Sequence, residues 1–115
     1  MIEKYFNATN FSNTEEFAKG FHIHVPDNFN FAYDIVDEWA TQAPNKRALC
    51  WVNEHGRHHD FTFGEMKQLS DAAASFFQSI GIGRGDMVML MLKRRYEFWI
   101  AILGLHKIGA VAIPA

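Results

Sequence analysis

Apolar residues recur at spacings of three and four between residues 63 and 80, and this pattern predicts an amphipathic helix. Thr62 precedes Glu65 by three residues, which is the spacing of a capping box, where each side chain accepts a hydrogen bond from a backbone N–H at the helix start. The helix is therefore expected to begin at about Phe63. The stripe consists of Phe63, Met66, Leu69, Ala73, Phe76 and Ile80.

Three glycines follow this helix, Gly81, Gly83 and Gly85, at a spacing close to that of a dinucleotide-binding fingerprint. A phosphate-binding loop of that kind follows a strand and opens a helix, because the helix N-terminus presents free N–H groups to the anion. Here the helix comes first and an apolar run follows. We therefore interpret Gly81 as a helix stop and residues 83–86 as a turn into a strand.

A second helical pattern runs from Phe31 to Ala43, with Ile35 and Trp39 on one face and Pro44 as its stop. Downstream, two strand-like segments flank a Glu-His-Gly turn. This pattern predicts a β-hairpin formed by residues 47–53 and 57–62.

The last third of the chain predicts a strand, a helix and a second strand. Residues 87–92 are all apolar, which is typical of a strand buried on both faces. The next helix is apolar on nearly all sides from Phe98 to Leu105 and ends at Gly109, and a second strand begins at Val111. Such a crossover is the unit from which parallel sheets are built, so the predicted fold class is α/β.

Composition limits the possible functions. The chain has 115 residues, enough for one modest domain, and its 49% hydrophobic content is that of a globular protein. The net charge of −2 provides no excess of basic residues for binding nucleic acid. No apolar segment is close to the length of a membrane-spanning helix. The single cysteine excludes an internal disulfide framework, and no signal peptide is recognisable, so a cytoplasmic location is expected.

Two groups of polar residues could hold a metal. His58 and His59 are adjacent on a predicted strand, so they must point to opposite faces, whereas a closed zinc site needs four convergent ligands. A solvated hairpin is therefore the favoured interpretation, and a metal site is the alternative. The groups are Glu54, His55, His58, His59 and Asp60, and the pair His22 and His24.

Cys50 has no histidine at a known catalytic spacing and lies inside a predicted strand, which favours a buried, inert thiol over a nucleophile. Arg94 and Arg95 follow the strand of residues 87–92, at the edge where α/β sheets bind ligands. Arginines at a helix start oppose the helix dipole. These two residues are either part of a binding site or an ordinary surface pairing with Glu97.

Three stretches resemble the opening of an AMP-forming acyl-CoA synthetase of the adenylate-forming superfamily, and are most similar to the medium-chain enzymes. They read FNFAYDIVDEWATQAPNKRALCWVNEHG, FTFGEMKQLSDAAASFFQSIGIGRGDMVMLML and YEFWIAILGLHKIGAVAIPA. The resemblance covers about residues 28–115. Many relatives have an arginine after Gly-Asp and a proline closing the strand, where this chain has Met87 and Lys93.

The resemblance implies the N-terminal portion of the large adenylate-forming domain, in which residues 1–29 are an arm and residues 30–115 begin the AMP-binding domain. It also implies an enzyme that uses ATP, Mg²⁺ and CoA to convert a carboxylic acid, through an acyl-adenylate, to a thioester. The family's catalytic, nucleotide-binding and metal-binding motifs would lie downstream. No such residue is therefore assigned within residues 1–115, and none of these cofactors is expected to bind them.

Two other functions are compatible with the same residues. An adenylation domain that loads a carrier protein would share the same opening architecture, and a non-catalytic interaction module could be complete at this length. Against the module stand the strand begun at Val111, with little chain to pair with, and a helix apolar on many faces. The chain by itself is expected to self-associate, because unpaired strand edges and an uncovered apolar face promote association.

Overall fold

The computed structural model describes residues 2–115, with side chains from residue 3 onward. A 3-10 turn (Ile2–Tyr5) precedes the regular elements, and a π-helical turn (Ala32–Asp37) leads directly into the second α-helix. The helices and strands are α1 (Thr14–Gly20), α2 (Glu38–Gln42), β1 (Arg47–Val52), β2 (His58–Thr62), α3 (Phe63–Ser79), β3 (Met87–Leu90), α4 (Glu97–Lys107) and β4 (Val111–Pro114).

The first 29 residues hold a small aromatic cluster. The helix α1 is capped by Asn13, whose Oδ1 accepts a hydrogen bond from the Glu16 N–H at 2.8 Å. The rings of Phe17 and Phe21 stack with centroids 4.9 Å apart. Phe6 forms an isolated antiparallel bridge with Ile23, which closes this part of the chain on itself.

The predicted hairpin is confirmed. Strands β1 and β2 pair antiparallel, with Trp51 opposite His59, and Gly56 in the turn has φ 74°. That left-handed conformation suits glycine, because it has no Cβ to clash. The outward face of β1 carries Cys50 and Val52, and its inward face packs toward the core.

The predicted capping box at the start of α3 is also confirmed. The Glu65 N–H donates to Thr62 Oγ1 at 3.2 Å, and the Thr62 N–H donates to Glu65 Oε2 at 2.8 Å. The helix ends at Ser79, and Gly81 follows with φ 89°. Gly81 therefore follows the end of a helix, as predicted. In the next turn, Asp86 Oδ2 accepts a hydrogen bond from the Gly83 N–H at 2.8 Å.

The predicted strand–helix–strand unit is present, and β3 pairs parallel to β4 with Met87 opposite Val111. Two details of the prediction were wrong: β3 ends at Leu90, and only one of its faces is buried. Val88 and Leu90 pack toward α4, whereas Met87 and Met89 are exposed. An apolar run cannot show how many layers cover a strand, and none of the described residues covers this outer face.

The core lies between the helices and the two small sheets. One cluster consists of Ala32, Val36, Phe61, Met66 and Leu103, and a second consists of Leu90, Leu105 and Ala110. Helices α3 and α4 are in close contact at Gly104, where an added Cβ would lie 2.8 Å from the Ala73 Cβ. Glycine at this position lets the two helix backbones come together.

Candidate functional site at the carboxyl edge of β3

The chain leaves the carboxyl end of β3 and passes beside the hairpin before it enters α4. Between the two segments lies an open cleft of about 860 Å³, lined by residues 51–55 and 93–95. Arg94 and Arg95, the candidate ligand-binding residues of the sequence, both line it. The structure therefore brings them beside hairpin residues, among which Trp51 is the largest.

One hydrogen bond fixes the wall of this cleft. The Trp51 indole Nε1–H donates to the Arg94 carbonyl oxygen at 2.6 Å. Arg94 itself has φ 49°, a left-handed conformation that is uncommon for residues other than glycine. The Trp51 ring meets the Tyr96 ring edge to face, with centroids 5.3 Å apart. The Arg94 backbone and the Trp51 indole are thus fixed relative to each other.

The two arginines differ in their ion pairing. Arg95 Nη2 lies 2.7 Å from Glu97 Oε1, and this pair raises the pKa of Arg95 and lowers that of Glu97. The surface pairing expected from the sequence is therefore found for Arg95. Within the part of the chain that the structure describes, neither Lys93 nor Arg94 has an ion-pair partner. The cleft consequently carries two cations without an ion-pair partner, and the carboxylate of Glu54 also lines it.

The expectation that Cys50 is buried was wrong: its side chain is exposed on the outer face of β1. A hydrogen bond with Asp60 raises the pKa of the thiol, and the negative charge of that carboxylate adds to the effect. The same bond lowers the pKa of Asp60. A raised pKa leaves less thiolate to act as a nucleophile, and the inert role of Cys50 stays a prediction.

The histidines do not form a metal centre. His58 and His59 point to opposite faces of β2, and the His59 ring stacks on Phe61 at 4.1 Å. His55 Nε2 lies 3.7 Å from Glu54 Oε1 on the exposed turn. Over residues 2–115, no three His, Cys, Asp or Glu side chains come together in a way that could hold a metal ion.

An ion-pair cluster around the buried Lys107 was not predicted from the sequence. Lys107 Nζ lies 2.9 Å from Asp37 Oδ1 and 2.6 Å from Asp71 Oδ1, and its side chain is only 1% exposed. Lys67 pairs with Asp71 at 2.6 Å from the other side. Burial would raise the pKa of Asp71, but hydrogen bonds from Lys107 and Lys67 outweigh it and lower that pKa. The cluster joins the π-helical turn, α3 and α4.

Between residues 2 and 115, no helix is long and apolar enough to cross a membrane.

Residues 36–115 match the family model described as AMP-binding enzyme. The chain is 35% identical to the human mitochondrial acyl-coenzyme A synthetase ACSM3 over 111 residues, which is 91% of this chain and 19% of that protein. The chain thus spans about a fifth of the length of this relative.

Solved structures show the same architecture. A fatty acyl-adenylate ligase from Legionella pneumophila, in complex with acyl adenylate and pyrophosphate, matches with a TM-score of 0.68 and 27% identity, over 73% of this chain and 15% of that chain. A fatty acyl CoA synthetase from Mycobacterium tuberculosis matches with a TM-score of 0.65 and 29% identity, over 75% of this chain and 16% of that chain. The α/β arrangement described above is that of a segment of these larger proteins.

Proposed function

The chain belongs to the family of AMP-binding enzymes, and on that ground we propose that it is the N-terminal part of an ATP-dependent acyl-CoA synthetase. The observation that carries this proposal is the 35% identity to an acyl-coenzyme A synthetase over 91% of the chain. The proposed enzyme activates a carboxylic acid as an acyl-adenylate with release of pyrophosphate. The CoA thiol then displaces AMP to give the thioester.

The proposed reactants are a fatty or other carboxylic acid, ATP with Mg²⁺, and CoA. A carboxylate is a poor acyl donor until its oxygen becomes part of a phosphoryl leaving group, and positioning and charge neutralisation carry such a step. The described residues contain no convergent group of metal-ligating side chains. We therefore assign no Mg²⁺ ligand or catalytic residue to them.

The role proposed for these residues is scaffolding. The capped helix α3 and the close helix contact at Gly104 hold α4 against the core, and α4 positions the parallel pair β3–β4. In this proposal residues 1–29 are an N-terminal arm and residues 30–115 the first part of the AMP-binding domain. The chain by itself should neither bind MgATP nor turn it over.

The exposed face of the parallel pair supports self-association of the chain by itself. Met87 and Met89 are 75% and 60% exposed, and Val111 and Ile113 lie beside them on β4. Contiguous apolar surface and free strand edges favour association. In the proposed enzyme, further parts of the same domain would cover this face.

For location we propose the cytoplasm, from the single exposed thiol and the absence of disulfides among the described residues. The relative ACSM3 is a mitochondrial protein. Fractionation of cells that express the tagged protein from its own gene would test this, and co-sedimentation with mitochondria would contradict it.

The reaction is tested by pyrophosphate–ATP exchange in a protein that contains this chain and the remainder of the domain. Exchange should require a carboxylic acid, with the best rate among fatty acids longer than acetate. CoA should be needed only for thioester formation. If exchange instead required an amino acid, or if the product were a carrier-bound thioester with CoA inert, the alternative of a carrier-loading adenylation domain would replace this proposal.

A further inference from the structure

We infer that the cleft lined by residues 51–55 and 93–95 binds the phosphate monoester of an adenine nucleotide. The source that fits best is the 3′-phosphate of CoA, and this choice of source rests on the proposed function. The inference departs from the expectation that no cofactor contacts residues 1–115. That expectation was based on sequence motifs, which do not reveal a cleft formed by two segments that are distant in the chain.

Charge is the first argument. The protein carries a net charge of −2, yet residues 93–95 place three cations in one cleft. Glu97 neutralises Arg95, and Glu54, the acidic residue lining the cleft, lies 3.7 Å from His55. The positive charges of Lys93 and Arg94 remain, and the negative charge of Glu54 opposes one of them, so the cleft keeps a net positive charge. A phosphate monoester carries close to two negative charges at pH 7, and a guanidinium can donate to it through two parallel N–H bonds.

Position is the second argument. The cleft lies outside the carboxyl end of β3, and ligands of α/β sheets bind at that edge. Its volume of about 860 Å³ lies within the range of small-molecule sites.

Preorganisation is the third argument. The bond from the Trp51 Nε1–H to the Arg94 carbonyl and the contact with Tyr96 fix the indole in the cleft wall. Trp51 also borders a second hollow, which reaches Pro114 at the carboxyl end of β4. A fixed aromatic ring is a stacking surface for a nucleotide base, and ligand binding costs less when the site is already ordered.

The same charges discriminate between the two nucleotides of the proposed reaction. Mg²⁺ neutralises much of the charge on the phosphates of ATP, whereas the 3′-phosphate of CoA is a free dianion. We therefore expect the cleft to bind adenosine 3′,5′-bisphosphate, the nucleotide half of CoA, and not MgATP.

The experiment titrates the 115-residue chain with adenosine 3′,5′-bisphosphate, inorganic phosphate or MgATP and follows backbone amide NMR shifts. The test variant is K93Q/R94Q, which keeps the backbone carbonyl that Trp51 binds. The matched control is K4Q/R84Q, which removes the same charge outside the cleft. Amide spectra of the free variants establish that all three proteins share one fold.

Saturable shifts confined to residues 51–55 and 93–96 are expected with the bisphosphate. They should weaken about tenfold or more in K93Q/R94Q, since hydrogen bonds to charged groups account for at least that factor. They should persist in the control and weaken with added salt. Absence of saturable shifts, or equal weakening in both variants, would overturn the inference.

The titrations with MgATP and with inorganic phosphate show which kind of phosphate ligand the cleft binds. Equal affinity for MgATP would overturn the choice of CoA, and equal affinity for inorganic phosphate would overturn the role of Trp51 as a base-stacking surface. None of these results depends on pyrophosphate exchange. The proposed reaction and this inference can therefore fail independently.

Discussion

The Lys107 ammonium nitrogen lies 2.9 Å from the Asp37 carboxylate, although the two residues are 70 positions apart in the chain. Lys107 belongs to α4 and Asp37 to the π-helical turn, and the contact is almost closed to solvent. A buried charge that loses its partner remains desolvated without compensation. This pair therefore ties the first helical segment of the domain to the last.

Replacing Lys107 by methionine should lower the free energy of unfolding by about 3 kcal/mol, because two carboxylates then lose their shared cation. Lys67→Met is the matched control. The Lys67 side chain is 42% exposed, so its loss should cost about 1 kcal/mol or less. Urea denaturation followed by circular dichroism measures both, and equal losses would contradict the central role of Lys107.

The free energy of unfolding should depend on pH through the titration of Asp71. Its folded pKa lies below its usual value, since hydrogen bonds from Lys107 and Lys67 outweigh burial. Its contribution is therefore fully present above the unfolded pKa of about 3.9 and is lost as pH falls through the folded pKa. Asp71→Asn should be less stable than wild type at pH 7, and the difference should shrink below about pH 4. A pH-independent difference between Asp71→Asn and wild type would refute this explanation.

Loss of the α3 cap should be measurable. Thr62→Ala removes the acceptor of the Glu65 N–H and should cost about 1 kcal/mol. Thr41→Ala is the control, because the Thr41 hydroxyl only donates to the Asp37 carbonyl within a helix. An unchanged urea midpoint for Thr62→Ala would mean that the cap does not stabilise the helix.

Gly104→Ala should destabilise the contact between α3 and α4 by about 1–3 kcal/mol, as overpacking does in close-packed cores. The added Cβ would lie 3.0 Å from the Ala74 backbone nitrogen, which cannot move alone. At Gly83 the nearest atom is 4.0 Å away, so Gly83→Ala is a suitable control with little expected effect. Thermal denaturation of both variants makes the comparison, and equal melting temperatures would show that the helices separate without penalty.

Self-association of the chain should depend on the outer face of β3. M87K/M89K introduces two charges there and should shift the chain toward monomer. The control V25K/I80K places the same charges at residues that are similarly exposed elsewhere. Size-exclusion chromatography with light scattering measures the mass. A wild-type chain that is already monomeric and binds no hydrophobic dye would contradict the proposal.

Local signals predicted the local structure. The capping box at Thr62 and Glu65, the glycine stop at Gly81 and the hairpin turn at Gly56 all depend on residues close in sequence, and each was found where the sequence placed it. Their physical causes act within one turn of the chain.

The features that were missed depend on distant partners. The role of Lys107 could not be predicted from the sequence, because its carboxylate partners lie 36 and 70 residues away. Cys50 was expected inside because strand residues are often buried, but the outer face of a two-stranded hairpin has nothing packed on it. The cleft was suggested by Arg94 and Arg95, whereas the contribution of Trp51 required the fold.

The π-helical turn Ala32–Asp37 keeps the first helical segment in phase with the core. Ala32, Val36 and Ala40 are all buried, at steps of four residues. In a regular α-helix, each step of four overshoots a full turn by about 40°, so such a series drifts away from its partner surface. The wider i→i+5 turn winds less per residue and offsets that drift. Deleting one residue here would rotate Ala32 by roughly a quarter of a turn relative to α2, so the length of this segment decides which side chains reach the core.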